Sequence, residues 1–205
     1  GEALDLREMD AAKLKYELLA EELGGPVTMV GNLPYQISSR LLVALAEAGD
    51  ALHAGVVMVQ KEVAERVVAS PRTKEFGLLS VLTQYAFHGE FVRMVPPESF
   101  VPRPKVTSAV IALNRREPIA DKAEVDQAIA AARIAFSTRR KTLRRVLANR
   151  FKISSEAAGT LVGQSGLSVD ARAEELSLED YVSLGRVLSD MPGFARKMSK
   201  ESTGG

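Results

Sequence analysis

Apolar residues fall into short runs alternating with helical stripes up to about residue 113, and into helical stripes alone beyond it. Val27-Thr28-Met29-Val30 is a run that stops at Gly31 and predicts a buried strand. Ile37 to Ala48 places Ile37, Leu41, Leu42, Leu45 and Ala48 on one stripe and predicts a helix. Ala54 to Gln60 predicts a second strand, followed by a helix over Lys61 to Ala69. Gly77 to Phe87 fits either period and is read as helix. Phe91 to Val95 and Val106 to Leu113 read as two strands around a Pro-rich turn from Pro96 to Pro104. Strand, helix, strand, helix and a closing strand pair predict part of a three-layer α/β sheet.

Downstream the signals are helical. Asp121 and Glu124 have capping-box spacing and open a helix through about Phe136; another is expected over Arg140 to Arg150. Ser177 and Asp180 start a last helix through Leu188. The break in apolar patterning lies at Asn114 to Lys122, so the expected division is an α/β domain over residues 1–116 and a small all-α domain over 117–197. A polar, Gly-ended tail over 198–205 is expected to be disordered. Leu4, Leu14 and Leu18 bring helical spacing close to the first residue, Gly1, and suggest an internal start within a longer protein.

Composition narrows the chemistry. The 205 residues are 46% hydrophobic and 26% charged, which excludes disorder of the whole chain. No stretch approaches the roughly 18 apolar residues of a membrane span, and Gly1 to Asp5 lacks the basic and apolar regions of a signal peptide. With no cysteine and only His53 and His88 as histidines, thiolate zinc sites, iron–sulfur clusters and cysteine nucleophiles are excluded, and no metal is expected. The net charge of +1 hides an asymmetry. Gln127 to Ser155 holds eight basic residues (Arg133, Arg139, Arg140, Lys141, Arg144, Arg145, Arg150 and Lys152) and no acidic one, leaving −7 on the remainder. A basic island on an acidic protein is the footprint of phosphate binding, with a solvated helix face as the alternative.

Gly31-Asn32-Leu33-Pro34-Tyr35 follows a predicted strand and precedes a predicted helix, where ligands sit in open α/β sheets. The loop suits alkylation of an exocyclic amine such as N6 of adenine, a poor nucleophile because its lone pair is delocalised into the ring. The Asn32 side-chain oxygen and a backbone carbonyl at Leu33 or Pro34 can accept the two amine hydrogens and favour a tetrahedral nitrogen. Pro34 stiffens the loop, and Tyr35 offers a ring on which a flipped base can stack. The alternative is a plain strand-to-helix turn with Tyr35 in the core.

Longer stretches add a resemblance. GNLPYQISSRLL at 31–42, MVQKEVAERVVASPRTKEFGLLSVLTQY at 58–85, VPPESFVPRPKVTSAV at 95–110, AFSTRRKTLRRVLAN at 135–149 and ARAEELSLEDYVSL at 171–184 together resemble the ribosomal RNA adenine dimethyltransferase family, in family order. These enzymes dimethylate two adjacent adenosines near the 3′ end of small-subunit (16S) rRNA. The related large-subunit enzymes share the Asn-x-Pro-Tyr logic, but the Pro-Lys-Val-Thr-Ser-Ala-Val and Arg-Arg-Lys-Thr-Leu-Arg stretches look more like the small-subunit branch. The resemblance implies S-adenosylmethionine as donor, a partial Rossmann-like methyltransferase domain, and a helical C-terminal domain that contacts rRNA. It implies that Asn32 contacts both donor and target amine beside the Leu33 and Pro34 backbone, and that Tyr35 and Phe100 stand on opposite faces of the base. Glu2 falls where the family has an aspartate that accepts the donor's adenine amine. Lys61, Arg103, Arg139, Arg140, Lys141, Arg144 and Arg145 are expected RNA contacts.

One departure matters. The family's Gly-rich loop after its first strand and the acidic residue ending its second have no counterpart here; Gly24-Gly25 and Gly204-Gly205 stand in the wrong context. Roughly the first third of such an enzyme is missing from this sequence, and a sheet so shortened is expected to expose an edge and apolar faces. Three readings stay open: the methyltransferase, with a part in small-subunit maturation; a catalytically silent rRNA-binding or ribosome-assembly module; and a DNA adenine methyltransferase, against which the single proline after Leu33 and the basic domain count. The expected partner is the small ribosomal subunit, the expected state a monomer in the cytoplasm, without membrane attachment.

Overall fold

The computed structural model describes residues 5–138 and 140–194. Glu2, Arg139 and the 198–205 tail lie outside the described residues. The chain forms two compact units, one made of 1–65 with 86–116 and the other of 66–85 with 117–205. Residues 66–85 thus part from the expected division at 116/117. Among the described residues no helix is long and apolar enough to cross a membrane.

The first unit holds a four-stranded mixed sheet of order β1-β2-β4-β3, with β1 at Val27–Asn32, β2 at Leu52–Gln60, β3 at Phe87–Val95 and β4 at Ser108–Arg115. Helices α1 (Tyr16–Leu23) and α2 (Ser38–Glu47) belong to the same unit. β1 and β2 run parallel with α2 as the crossover, and β4 runs antiparallel to both its neighbours. The alternation along β2 sends Val57 and Val59 inward, fully buried, while Val56 on the other face is 41% exposed. Leu41, Leu42 and Leu45 of α2 and Ile111 and Leu113 of β4 complete a buried set at 2% exposure or less. Val30, paired in register with Val56, is 75% exposed, so one face of the β1/β2 pair is open among the described residues. The register places Asn32 opposite Met58, and Ser108 opposite both Gln60 and Val95. The C-terminal ends of β1, β2 and β3 and the start of β4 therefore share one edge of the sheet.

Helix α3 (Lys61–Val68) continues directly from β2 into the second unit, where α4 (Leu78–Gln84), α5 (Lys122–Ala135), α6 (Leu143–Phe151), α7 (Ser155–Gln164) and α8 (Leu178–Ser189) share one buried cluster. An alanine-rich face of α5 (Ala128, Ala131, Ala132, Ala135) lies in that cluster with Leu184 and Leu188 of α8. The backbones approach closely: a Cβ placed on Gly185 would lie 2.8 Å from the Ala128 nitrogen.

Element ends differ from the sequence reading for local reasons. α4 stops at Gln84, and Phe87, 1% exposed, opens β3 rather than closing a helix. α6 starts at Leu143, because Arg140 has a left-handed backbone (φ 63°) and Thr142 is the N-cap residue. Asp121 caps α5 by accepting from the Glu124 nitrogen at 2.8 Å, but Glu124 accepts from Arg186 Nε at 2.6 Å. Ser177 and Asp180 form the full reciprocal box. α7 has no counterpart in the sequence reading, and of α1 only the Leu14 and Leu18 spacing was read; Ser154 caps α7 by accepting from Ala157 at 3.1 Å.

Candidate functional site: a groove at the strand ends

β1 does not release the chain at Asn32. The Leu33 nitrogen donates to the Met58 carbonyl at 3.0 Å, carrying the pairing with β2 one residue further. Leu33 is buried at 3% exposure and anchors the loop, so Asn32 and Pro34 on either side stay exposed. The Ile37 nitrogen then donates to the Pro34 carbonyl at 3.1 Å, and Ser38 Oγ to the Tyr35 carbonyl at 3.1 Å, which turns the chain into α2.

On the β3 side, Pro96 leads into a short 3-10 turn at Pro97–Ser99, and the Phe100 nitrogen closes it by donating to the Pro97 carbonyl at 3.2 Å. The following segment returns to β4 past Pro102 and Pro104. The two loops enclose a groove of about 340 Å³ lined by Asn32, Leu33, Pro34, Tyr35, Phe100, Pro102 and Pro104. The expected catalytic set of Asn32, Leu33, Pro34, Tyr35 and Phe100 meets here. Pro102 and Pro104 were not singled out in the sequence, although two more rigid residues beside Phe100 are what holds an aromatic wall in place.

No charged side chain lines the groove; its polar side chains are Asn32, with the amide's donor and acceptor, and Tyr35, whose hydroxyl lies 2.6 Å from Ser108 Oγ. Such a groove can stack a planar heteroaromatic ring and bond its edge. S-adenosylmethionine asks for something else: its ribose hydroxyls and ammonium need acceptors, and neither a carboxylate nor a Gly-rich turn lines the groove. The described lining residues offer ring faces and one amide, and by themselves they do not meet what the donor requires.

Of the expected RNA contacts in this unit, Lys61 is exposed with Nζ 3.4 Å from Glu65, and Arg103 pairs with Glu98. In the helical unit Arg140, Lys141 and Arg145 are exposed, and Arg144 lies 3.5 Å from Asp170.

The mixed sheet with its parallel β-α-β unit, and a groove at the strand ends, define a Rossmann-like methyltransferase fold. A dimethyladenosine transferase from Plasmodium falciparum has this fold at a TM-score of 0.67 and 23% identity, with 80% of this chain and 67% of that one covered. The 23S rRNA methyltransferase ErmE follows at 0.57 and 25%, covering 80% and 66%. Residues 5–190 match the model of the ribosomal RNA adenine dimethylase family, and the chain belongs to that family. It is 40% identical over 182 residues to a ribosomal RNA small subunit methyltransferase A from Desulfitobacterium hafniense, with 88% of this chain and 64% of the relative covered. A protein of the same name from Dechloromonas aromatica is also 40% identical, over 189 residues, with coverages of 92% and 70%. The chain thus spans about 64% of the length of the first of these relatives.

Proposed function

We propose that the chain carries the target-base and RNA-binding portions of an enzyme that dimethylates N6 of two adjacent adenosines near the 3′ end of small-subunit rRNA, acting in small-subunit maturation. The observation that carries this reading is the convergence of Asn32, Tyr35 and Phe100, from loops at two separate strand ends, on one uncharged groove. An adenine entering there stacks against Tyr35 and Phe100. The Asn32 side-chain oxygen and a carbonyl of Leu33 or Pro34 accept the amine hydrogens, which localises the nitrogen lone pair and aims it out of the ring plane. No strong base is called for, which suits a groove without a titratable group other than a phenol.

In this reading methyl groups come from S-adenosylmethionine, which Asn32 contacts beside the target amine and which is otherwise held by residues outside the groove lining; no metal takes part. Lys61, Arg103, Arg140, Lys141, Arg144 and Arg145 neutralise rRNA phosphates. Glu2 and Arg139 belong to the same proposal by resemblance, as a donor contact and an RNA contact. A ribosomal substrate gives the protein a cytoplasmic site of action, as a monomer on the small subunit.

The test joins this chain to the part of the Desulfitobacterium relative that it does not cover, and supplies labelled donor with small subunits lacking the modification. Labelled N6,N6-dimethyladenosine is the expected product, lost on Asn32→Ala with subunit binding nearly intact. Tight binding without product would favour the silent assembly module, and parallel loss of binding and product would show that Asn32 is misassigned.

A further inference from the structure

Ser108 is the first residue of β4 and is fully buried, yet its neighbours along the strand, Ala109 and Val110, are apolar. A buried hydroxyl needs a partner. Its Oγ lies 2.6 Å from the Tyr35 hydroxyl, a bond between residues 73 positions apart. Ser108 is held in turn by register with Gln60 on β2 and Val95 on β3, so it is fixed between the C-terminal ends of two neighbouring strands.

The bond engages the only polar group Tyr35 has. What Tyr35 offers the groove is therefore its ring face. The ring is fixed at both ends: its backbone by the Leu33–Met58 and Ile37–Pro34 bonds, its phenol oxygen by Ser108. With Cα and Oη both held, the two side-chain torsions have little freedom left. Fixing a stacking surface before the base arrives removes an ordering cost that binding would otherwise meet.

We infer that Ser108 is a positioning residue that holds the Tyr35 ring in place as one wall for the target purine. This rests on the groove's reading as a purine site. It gives the buried serine of the Val-Thr-Ser-Ala-Val stretch a task in the site.

Two readouts on the 205-residue chain test it. In the first, the chain is labelled with 3-fluorotyrosine, and the Tyr35 resonance is identified by its absence in Tyr35→Phe. Ser108→Ala should shift and narrow that resonance while those of Tyr16, Tyr85 and Tyr181 stay put. In the second, a short single-stranded RNA containing 2-aminopurine reports stacking by quenching. Its amine sits at C2 and cannot meet Asn32 as the amine of adenine does, so the signal isolates the ring. Ser108→Ala and Tyr35→Phe should each weaken binding by about three- to tenfold, the cost of ordering one freed side chain on binding, and the double variant should be no worse than either. Additive losses, or an unmoved Tyr35 resonance in Ser108→Ala, would overturn the inference. Absence of quenching by the wild-type chain would overturn the purine reading instead, leaving the ring resonance to decide the Ser108 bond by itself.

Discussion

The Tyr85 hydroxyl donates to the Leu178 carbonyl at 2.7 Å across 93 residues of chain, and ties the 66–85 excursion to the start of α8. Tyr181 on α8 makes a similar bond to Ala173 at 2.6 Å, and the Arg72 nitrogen donates to Glu174 at 2.8 Å. Burial pushes both phenols well above the ordinary tyrosine range, with Glu179 adding to the effect at Tyr85 and Tyr85 itself adding to it at Tyr181.

A pH dependence follows. Below the ordinary tyrosine pKa of about 10 both phenols are protonated whether the chain is folded or unfolded, and their contribution is complete. As pH rises past that value the unfolded chain ionises first, so stability falls until the folded phenols titrate. Urea denaturation followed by circular dichroism should show a steep loss of stability above about pH 10. Tyr85→Phe should flatten that loss and cost about 1 kcal/mol at neutral pH. An identical alkaline slope in the variant would contradict the assignment.

Gly185→Ala tests the packing of α8 on α5. Alanine favours a helix by up to about 1 kcal/mol over glycine. Here its Cβ meets the Ala128 nitrogen and Gln127 carbonyl carbon at 2.8 Å, so the helices must part. A net destabilisation of about 1–3 kcal/mol in a urea titration is expected. A stabilised variant would show that the helices pack more loosely than described.

Much of this was legible in the sequence, and the limits have physical causes. The Asn32 to Tyr35 loop stood out because a run of strand period stops there and a helical stripe begins. Residues 66–85 did not declare their unit, since periodicity tells which face of α4 is buried but not against what; Val81 reads the same in either core. α7 carries Gly159 and Gly163, which lower helix propensity, and tertiary packing of Ala158 and Val162 outweighs them. The meeting of Phe100 with Asn32 came from family resemblance, because nothing local to the Pro-rich turn sets its distance from β1. Ser108 was visible as a polar residue in an apolar strand, but its partner lies 73 residues away.

The basic surface of the helical unit has its own test. Removing the charges of Arg140, Lys141, Arg144 and Arg145 together should weaken small-subunit binding and flatten its dependence on salt, by roughly 0.7–0.9 in logarithmic slope for each phosphate no longer neutralised. Asp170→Asn should act in the opposite direction and modestly, because it frees Arg144 from its carboxylate neighbour. An unchanged salt slope in the fourfold variant would make these residues a solvated face.

Asn32 is proposed to read the exocyclic amine of an adenine lying in the groove, and two short RNAs that differ only in that amine put this to the test. Equilibrium binding of the chain to RNA carrying adenine, and to the same RNA carrying unsubstituted purine, isolates the interaction. The account predicts that the wild-type chain prefers adenine by about three- to tenfold, the worth of one hydrogen bond, and that Asn32→Ala binds both RNAs alike. Equal affinities in the wild type, or a preference that survives in Asn32→Ala, would contradict it.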